Sequence, residues 1–302
     1  MLNMKKGIFY NSPKASCSIH ESGLMCYQAL SLSAKYSLVY TEQQSIVDGD
    51  FDFVIFNHHP WTNSWMVPFI STITARNFAI VTEVGDYSNL FPLTPYPLFD
   101  EYIVLDPTIP DIGNIYGFPR PLEQIQFNAV NSDEIVIGSF GFATEGKNWE
   151  EIIVRTQIEF DNAIIRLNIP RATCIVDNQE KFNYIKKSCQ SLIYKPGIEL
   201  QITHEYHAKP ELVQWCAQNT LNVFLYSRNQ SGLSATTDQA IIAERPMLVS
   251  DNPTFRHILQ YLHPLPSTFR EAIEKTLPMV QEMKKDWSAY NFAQKFESII
   301  YR

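Results

Sequence analysis

No uninterrupted apolar run in these 302 residues approaches the ~20 needed to cross a bilayer. The opening MLNMKKGIFYNSP has two lysines, but the apolar run behind them is too short for a secretory signal. These two absences lead us to expect a cytoplasmic protein. The five cysteines are scattered, odd in number and without a C-x-x-C pair, which predicts free, mostly buried thiols. Positive charge is scarce: 24 Lys and Arg face 32 Asp and Glu, for a net charge of −8. A general nucleic-acid surface needs the opposite balance, so no nucleic-acid partner is expected, although a local basic pocket is compatible with the count. No G-x-G-x-x-G follows the first apolar run, which argues against a dinucleotide cofactor. His204 and His207 form an H-x-x-H without a third ligand nearby, so no zinc site is expected. The D-x-D spacings at 48–52 surround Gly49 and read as a turn rather than a metal site.

What is present is a soluble α/β pattern. Hydrophobic residues make up 45% of the chain, and its length favours two domains. Short apolar runs alternate with helical periodicity. Strands are predicted at 7–10, 37–40, 53–56, 78–82, 102–105 and 114–118, with helices at 19–32 and 65–74. Pro119-Arg120-Pro121 and a polar stretch to Asp133 read as a linker. Strands resume at 135–140, 163–169 and 198–202, with helices at 149–160, 179–189 and 210–217. One long helix is expected at 267–283, capped by Ser267, and a final helix at 286–300. His20 and Glu21 read as solvated residues of a first helical turn.

The most informative stretch is 222–257. An apolar run at 223–226 leads into a small polar loop at 227–232, then a helix at 233–244 stopped by Pro246, then a strand at 247–249. That is one βαβ unit. Free N–H groups and the dipole at a helix start attract anions. Gly232 permits close approach, Ser231 and Ser234 can cap, and Arg228 offers a planar cationic fork. A phosphate site and an ordinary capped turn are both consistent with this loop.

The unit resembles the donor-site unit of retaining glycosyltransferases of the GT-B fold. That family carries Glu-x7-Glu across this loop and helix, then Ala, a Pro seven residues on, and a strand ending in Ser. Here Gln239 stands at the second Glu and is followed by Ala240, with Pro246 and Ser250 at matching offsets; Ser231 stands at the first Glu. The Gly232-Leu233 pair is displaced by about two positions. A second likeness is residues 135–149, where a strand ends in Gly and Lys147 opens the next helix; in the family such a Lys contacts the donor's distal phosphate. The family's companion Arg is absent, Phe142 stands near its place, and Arg228 is a substitute. The resemblance covers mainly 131–252, and the N-terminal half matches in pattern.

The resemblance implies two Rossmann-like domains facing a cleft, with a C-terminal helix crossing back to the N-terminal domain. The implied boundaries are 1–120 for an acceptor domain, 121–133 for the linker, 134–285 for the nucleotide-sugar donor domain and 286–302 for the crossover helix. The implied activity is sugar transfer from a nucleotide-sugar to an acceptor hydroxyl, retaining and metal-independent, with no cofactor. The acceptor is a glycan, a lipid-linked glycan or a small molecule, and a homodimer is left open. Lys147, Arg228, Ser231, Gly232, Leu233, Ser234 and Gln239 would hold the donor, and Tyr206 would stack near the base. His58, just past a strand, and Glu83, in a polar turn around Gly85, are the candidates on the acceptor side. Because both glutamates are missing, a nucleotide-sugar-binding or scaffold protein is the alternative.

Overall fold

The computed structural model describes residues 4–13, 18–47, 49–59, 64–81, 98–129, 133–171, 178–227 and 232–302. The chain divides into two compact units. One comprises 1–123, 231–233 and 286–302, and the other 124–230 and 234–285.

In the first unit, strands β1 (Lys5–Tyr10), β2 (Tyr36–Thr41), β3 (Phe53–His58), β4 (Arg76–Val81), β5 (Glu101–Val104) and β6 (Ile115–Gly117) form one parallel sheet, ordered β2-β1-β3-β4-β5-β6. Parallel strands are covered on both faces, which is why β3 and β4 read as near-continuous apolar runs. Alternate residues enter two cores. Phe9, Phe53, Ile55 and Phe78 enter one; Ile8, Tyr10, Val54 and Phe56 enter the other. Helix α1 (Ser18–Leu30) covers the first core with Cys26, Ala29 and Leu30. The segment expected as a helix at 65–74 is instead a 3-10 helix, Ser64–Thr72. Pro68 within it has no N–H to give an α-helical ladder.

In the second unit, β7 (Val136–Phe140), α2 (Trp149–Glu159), β8 (Ala163–Asn168), α3 (Asn178–Ser191), β9 (Ile198–Thr203), α4 (Lys209–Ala217), β10 (Leu221–Phe224), α5 (Thr236–Ile242) and β11 (Met247–Val249) follow in order. Their parallel sheet runs β11-β10-β7-β8-β9. Central β7 is buried throughout, whereas edge strand β9 alternates buried and open positions. Helices α6 (Arg256–Leu262), α7 (Phe269–Lys275) and α8 (Leu277–Asp286) complete this unit.

The helix expected over 267–283 is two helices, and its cap is the Thr268 hydroxyl, not Ser267. Thr276 separates them. Its hydroxyl donates to Ala272 O at 2.8 Å and accepts the Met247 N–H at 3.0 Å, so a backbone group of β11 is satisfied at the break. Pro278 cannot donate back across the junction.

The chain ends in α9 (Ala289–Ile300), capped by Ser288. Phe292, Phe296, Ile299 and Ile300 form its apolar stripe and enter the core of the first unit beside α1. Lys5 Nζ and Arg76 Nη1 donate to the terminal carbonyls of Ile300 and Ile299, at 2.9 and 3.0 Å. Cations there suit the negative end of the helix dipole. The C-terminal helix thus returns to the N-terminal sheet. Among the described residues, no helix is long and apolar enough to cross a membrane.

Candidate functional site

In an open parallel sheet, ligands bind past the carboxyl ends of the strands where the strand order reverses. In the second unit the chain steps from β7 outward to β8 and β9, then returns to place β10 on the other side of β7. The reversal therefore lies between the segments that follow β7 and β10.

Those two segments are tied together. Ser227 N donates to Gly146 O at 3.0 Å, and Ser227 Oγ donates to Asn148 Oδ1 at 3.0 Å. Lys147 lies across the junction, only 5% exposed. Its Nζ donates to the Tyr226 hydroxyl and stands 3.8 Å from the centre of that ring. The phenol, accepting from the lysine, can donate to Thr236 Oγ1 at 2.9 Å, and Thr236 meets Ser234 Oγ at 2.7 Å. Lysine, tyrosine, threonine and serine thus form one polar chain at the reversal point. Gly141 makes room for it, because a side chain at its φ of +148° would bring a Cβ to 3.0 Å from Nζ. Asn148 holds a left-handed φ of 52° as it starts α2, an uncommon state for a residue with a side chain.

Helix α5 starts later than the sequence implies. It runs from Thr236 rather than 233, follows Ala235 without a side-chain cap, and carries Asp238 in its first turn. Ser234 explains the delay: its N–H donates to Thr254 O at 3.1 Å, which draws the preceding backbone out of the helix. Ser234 is buried, so its N–H and hydroxyl are both engaged. Leu233 is half-buried, and Gly232 has open space where a Cβ would stand. Gln239 lies mid-helix and half-buried. Tyr226 is not a strand residue as expected; β10 ends at Phe224, and the Tyr226 carbonyl accepts Ser250 Oγ at 2.7 Å instead of a ladder bond. Phe142, near the place of the family's arginine, is exposed.

Tyr206 is exposed and lines an open groove of about 860 Å³ with Trp215 and Gln218. The neighbouring His204 gives its Nδ1–H to Ile169 O and stacks on Phe182 at 4.0 Å, so its ring is spent on structure. Among the described residues, no three His, Cys, Asp or Glu gather as a metal cluster. Glu83, Arg228 and Ser231 lie outside the described residues.

The first unit has its own reversal, between β1 and β3. Two asparagines occupy it, Asn11 just past β1 and Asn57 near the end of β3. Asn57 Nδ2 donates to Asn11 Oδ1 at 2.6 Å and to Ile19 O at 2.8 Å, while Asn11 Nδ2 donates to His20 O and to the Tyr40 hydroxyl, both at 3.0 Å. Gly23 of α1 is what lets the helix approach. A Cβ there would fall 2.1 Å from Asn11 Oδ1 and 2.2 Å from Asn57 Nδ2. His20 is not solvated as expected; it is buried, with Nε2 at 2.9 Å from Glu42 Oε1. The bonds from His20 and Tyr40 hold the Glu42 carboxyl below its usual range. His58 is the last residue of β3 rather than a loop residue. Its ring packs edge-on against Phe99 at 5.2 Å. Burial, and secondarily the His59 charge, lower its pKa to about 4, so it is neutral near pH 7.

The sequence reading missed Tyr226, Thr236, Asn11, Asn57 and Glu42. A signal existed for the asparagines: GIFYN and VIFN each end an apolar run in Asn at a strand's carboxyl end.

No protein-family model matches this chain, and no curated protein does at the level of sequence. Solved structures do. The alpha-glucosyltransferase AGT in complex with UDP is 13% identical over 99% of this chain and 100% of that one, with a TM-score of 0.57. HepE from Anabaena in complex with UDP-glucose is 10% identical over 98% and 99%, with a TM-score of 0.62. An E. coli trehalose-6-phosphate protein bound with UDP-2-fluoro glucose is 8% identical over 98% of both chains, with a TM-score of 0.61. AGT has also been solved with UDP-glucose and DNA, at a TM-score of 0.52, so the fold alone does not speak against a nucleic-acid partner. Identities this low establish architecture, and the architecture of this chain is the GT-B fold: two Rossmann-like units and a C-terminal helix returned to the first sheet.

Proposed function

We propose that this protein is a glycosyltransferase that moves a sugar from a nucleotide-sugar to an acceptor hydroxyl, retaining the anomeric configuration and needing no metal. The observation that carries the reading is the buried Lys147 at the strand reversal of the second unit, in a fold whose solved examples hold UDP, UDP-glucose or UDP-2-fluoro glucose. A preorganised ammonium at the point where negative charge develops stabilises a departing diphosphate, and it does so best where water is scarce. The Tyr226–Thr236–Ser234 chain would hold that ammonium and let its proton donation shift toward a phosphate oxygen. Arg228 would add a second cation, with Ser231, Gly232 and Leu233 beside the sugar and diphosphate. Gln239 would bond the ribose through its carboxamide, and Tyr206 would stack on the base.

In the transfer step, the bond from the anomeric carbon to the phosphate oxygen breaks as the bond to the acceptor oxygen forms. The acceptor's proton passes to the departing phosphate oxygen. Neutral His58 would orient the acceptor hydroxyl, and Glu83 would be the acidic group on the acceptor side. The neutral ring makes hydrogen-bonded positioning a better role for His58 than ion pairing.

The test is thermal stabilisation by UDP-, GDP-, CMP- and ADP-sugars, with and without EDTA, since binding to the folded state raises the melting temperature. The expected result is a shift with one nucleotide class that EDTA leaves unchanged. A shift abolished by EDTA would remove the metal-independent part. Ser231 and Gln239, standing where the family has glutamates, favour a second reading: a protein that binds a nucleotide-sugar without transferring it. Binding with no transfer or hydrolysis of the bound donor would establish that reading.

A further inference from the structure

One strand over from the reversal point, on the β8 side of β7, lies a second concavity. It has a volume of about 600 Å³ and is walled by the β7–α2 segment and the start of α3. Its walls combine three kinds of group. Tyr184 is 74% exposed, an aromatic face turned to solvent on α3. Glu145, Glu150 and Glu180 supply carboxylates, against the ammonium groups of Lys147 and Lys181. Trp149 lines the same wall; it is 2% exposed, and its indole N–H has no hydrogen-bond partner among the described residues.

The balance of these groups selects the ligand. Three carboxylates stand beside Lys181 on this wall, and the Lys147 ammonium is turned to Tyr226 at the reversal point, so an anion within this concavity is repelled more than held. The carboxylates do not converge as a metal-ligand cluster among the described residues, so a divalent cation is not the match either. What remains is a neutral, polyhydroxylated molecule with one apolar face. Carboxylates accept short, strong bonds from hydroxyls, and an exposed aromatic ring covers the C–H face of a pyranose. The wall is also preformed. Gly146 at φ +75° and Asn148 at φ 52° fix the β7–α2 turn, and Ser227 N pins it through Gly146 O. A rigid wall reduces the ordering cost of binding.

We propose that this concavity is a saccharide subsite, with Tyr184 as its stacking platform and Glu145 and Glu180 as hydroxyl acceptors. The inference rests on the glycosyltransferase reading in one respect: it identifies the acceptor as an oligosaccharide. The chemistry required is a chain of uncharged pyranoses.

The experiment screens the full chain on a glycan array covering gluco-, galacto-, manno- and N-acetylated oligosaccharides in α and β linkage. Hits are then titrated in solution against wild type, Tyr184→Ala and Glu180→Gln. Tyr184 is exposed and Glu180 lies on the surface of α3, so both variants leave the fold intact, and an unchanged melting temperature verifies it. In parallel, UDP-glucose binding is titrated to wild type and both variants. The expected result is a glycan bound by wild type, weakened about tenfold in each variant, with UDP-glucose binding unchanged. No glycan bound, or one bound equally by all three proteins, overturns the subsite, and the donor titration then shows whether the transferase reading stands. Glycan binding lost in the variants, while none of the UDP-, GDP-, CMP- and ADP-sugars raises the melting temperature of wild type, supports the subsite and removes the transferase reading alone.

Discussion

Each sheet reverses strand order once, the first after one outward strand and the second after two, and the two fill the reversal with opposite chemistry. Between β7 and β10 the second unit places a buried cation, Lys147, held by hydroxyls of Tyr226, Thr236 and Ser234. Between β1 and β3 the first unit places a neutral amide lattice, Asn11 and Asn57, closed by the approach of α1 at Gly23. A strand reversal in each sheet therefore does not mean equal chemistry at the two reversals. A buried ammonium is expensive unless it meets an anion, whereas paired amides satisfy each other and order the backbone around them. The first arrangement suits charge that appears on binding and reaction. The second is an unchanging neutral frame, next to a neutral His58.

The contrast can be broken most severely at Lys147. Lys147→Met keeps the side-chain volume and removes the charge; transfer activity should fall by roughly 10²–10³-fold, the range seen when one stabilising donor is deleted from an active site. The melting temperature should barely move, because Tyr226 keeps Thr236 as a partner. Crowding the amide lattice should do the reverse. Gly23→Ala drives a Cβ into Asn11 and Asn57, whose side chains are fixed by hydrogen bonds to each other and to their surroundings, so urea unfolding should show a loss of about 1–3 kcal/mol. Tyr226→Phe sharpens the comparison more gently. It removes one hydroxyl from the polar chain and should cost about 0.5–1.5 kcal/mol, read as a rise of roughly two- to twelve-fold in the donor dissociation constant.

A further test lies in the pH dependence of stability. The folded pKa of His58, about 4, is below the reference of 6.5, so the folded state binds fewer protons between those values. Stability contributed by the neutral ring is complete above pH 6.5, declines as pH falls toward 4, and is flat below. Urea midpoints measured across that window should decline more steeply for wild type than for His58→Gln. Parallel declines would show that the ring is not held neutral.

Much of the architecture is legible in the chain because parallel strands, covered on both faces, are continuous apolar runs such as FVIF and NFAIV. Lys147 stands out in the chain through the family resemblance of 135–149, a pattern local in sequence. Several misses have a different origin, a partner distant in sequence, whereas the 3-10 form of Ser64–Thr72 has the local cause of Pro68 within it. Helix α5 starts late because Ser234 bonds Thr254; the expected 267–283 helix breaks because Thr276 serves Met247; His20 is buried because Glu42 meets it from β2's end. Periodicity carries no record of such bonds. Asn11 and Asn57 were visible as letters, but their pairing exists only once β1 and β3 lie side by side.

The most direct measurement is calorimetric titration of UDP-glucose, in EDTA, into wild type and Lys147→Met. The expectation is measurable binding by wild type and a dissociation constant weakened by at least about tenfold in the variant, with both proteins equally folded. Equal affinity would contradict the assignment of Lys147 to the donor's diphosphate.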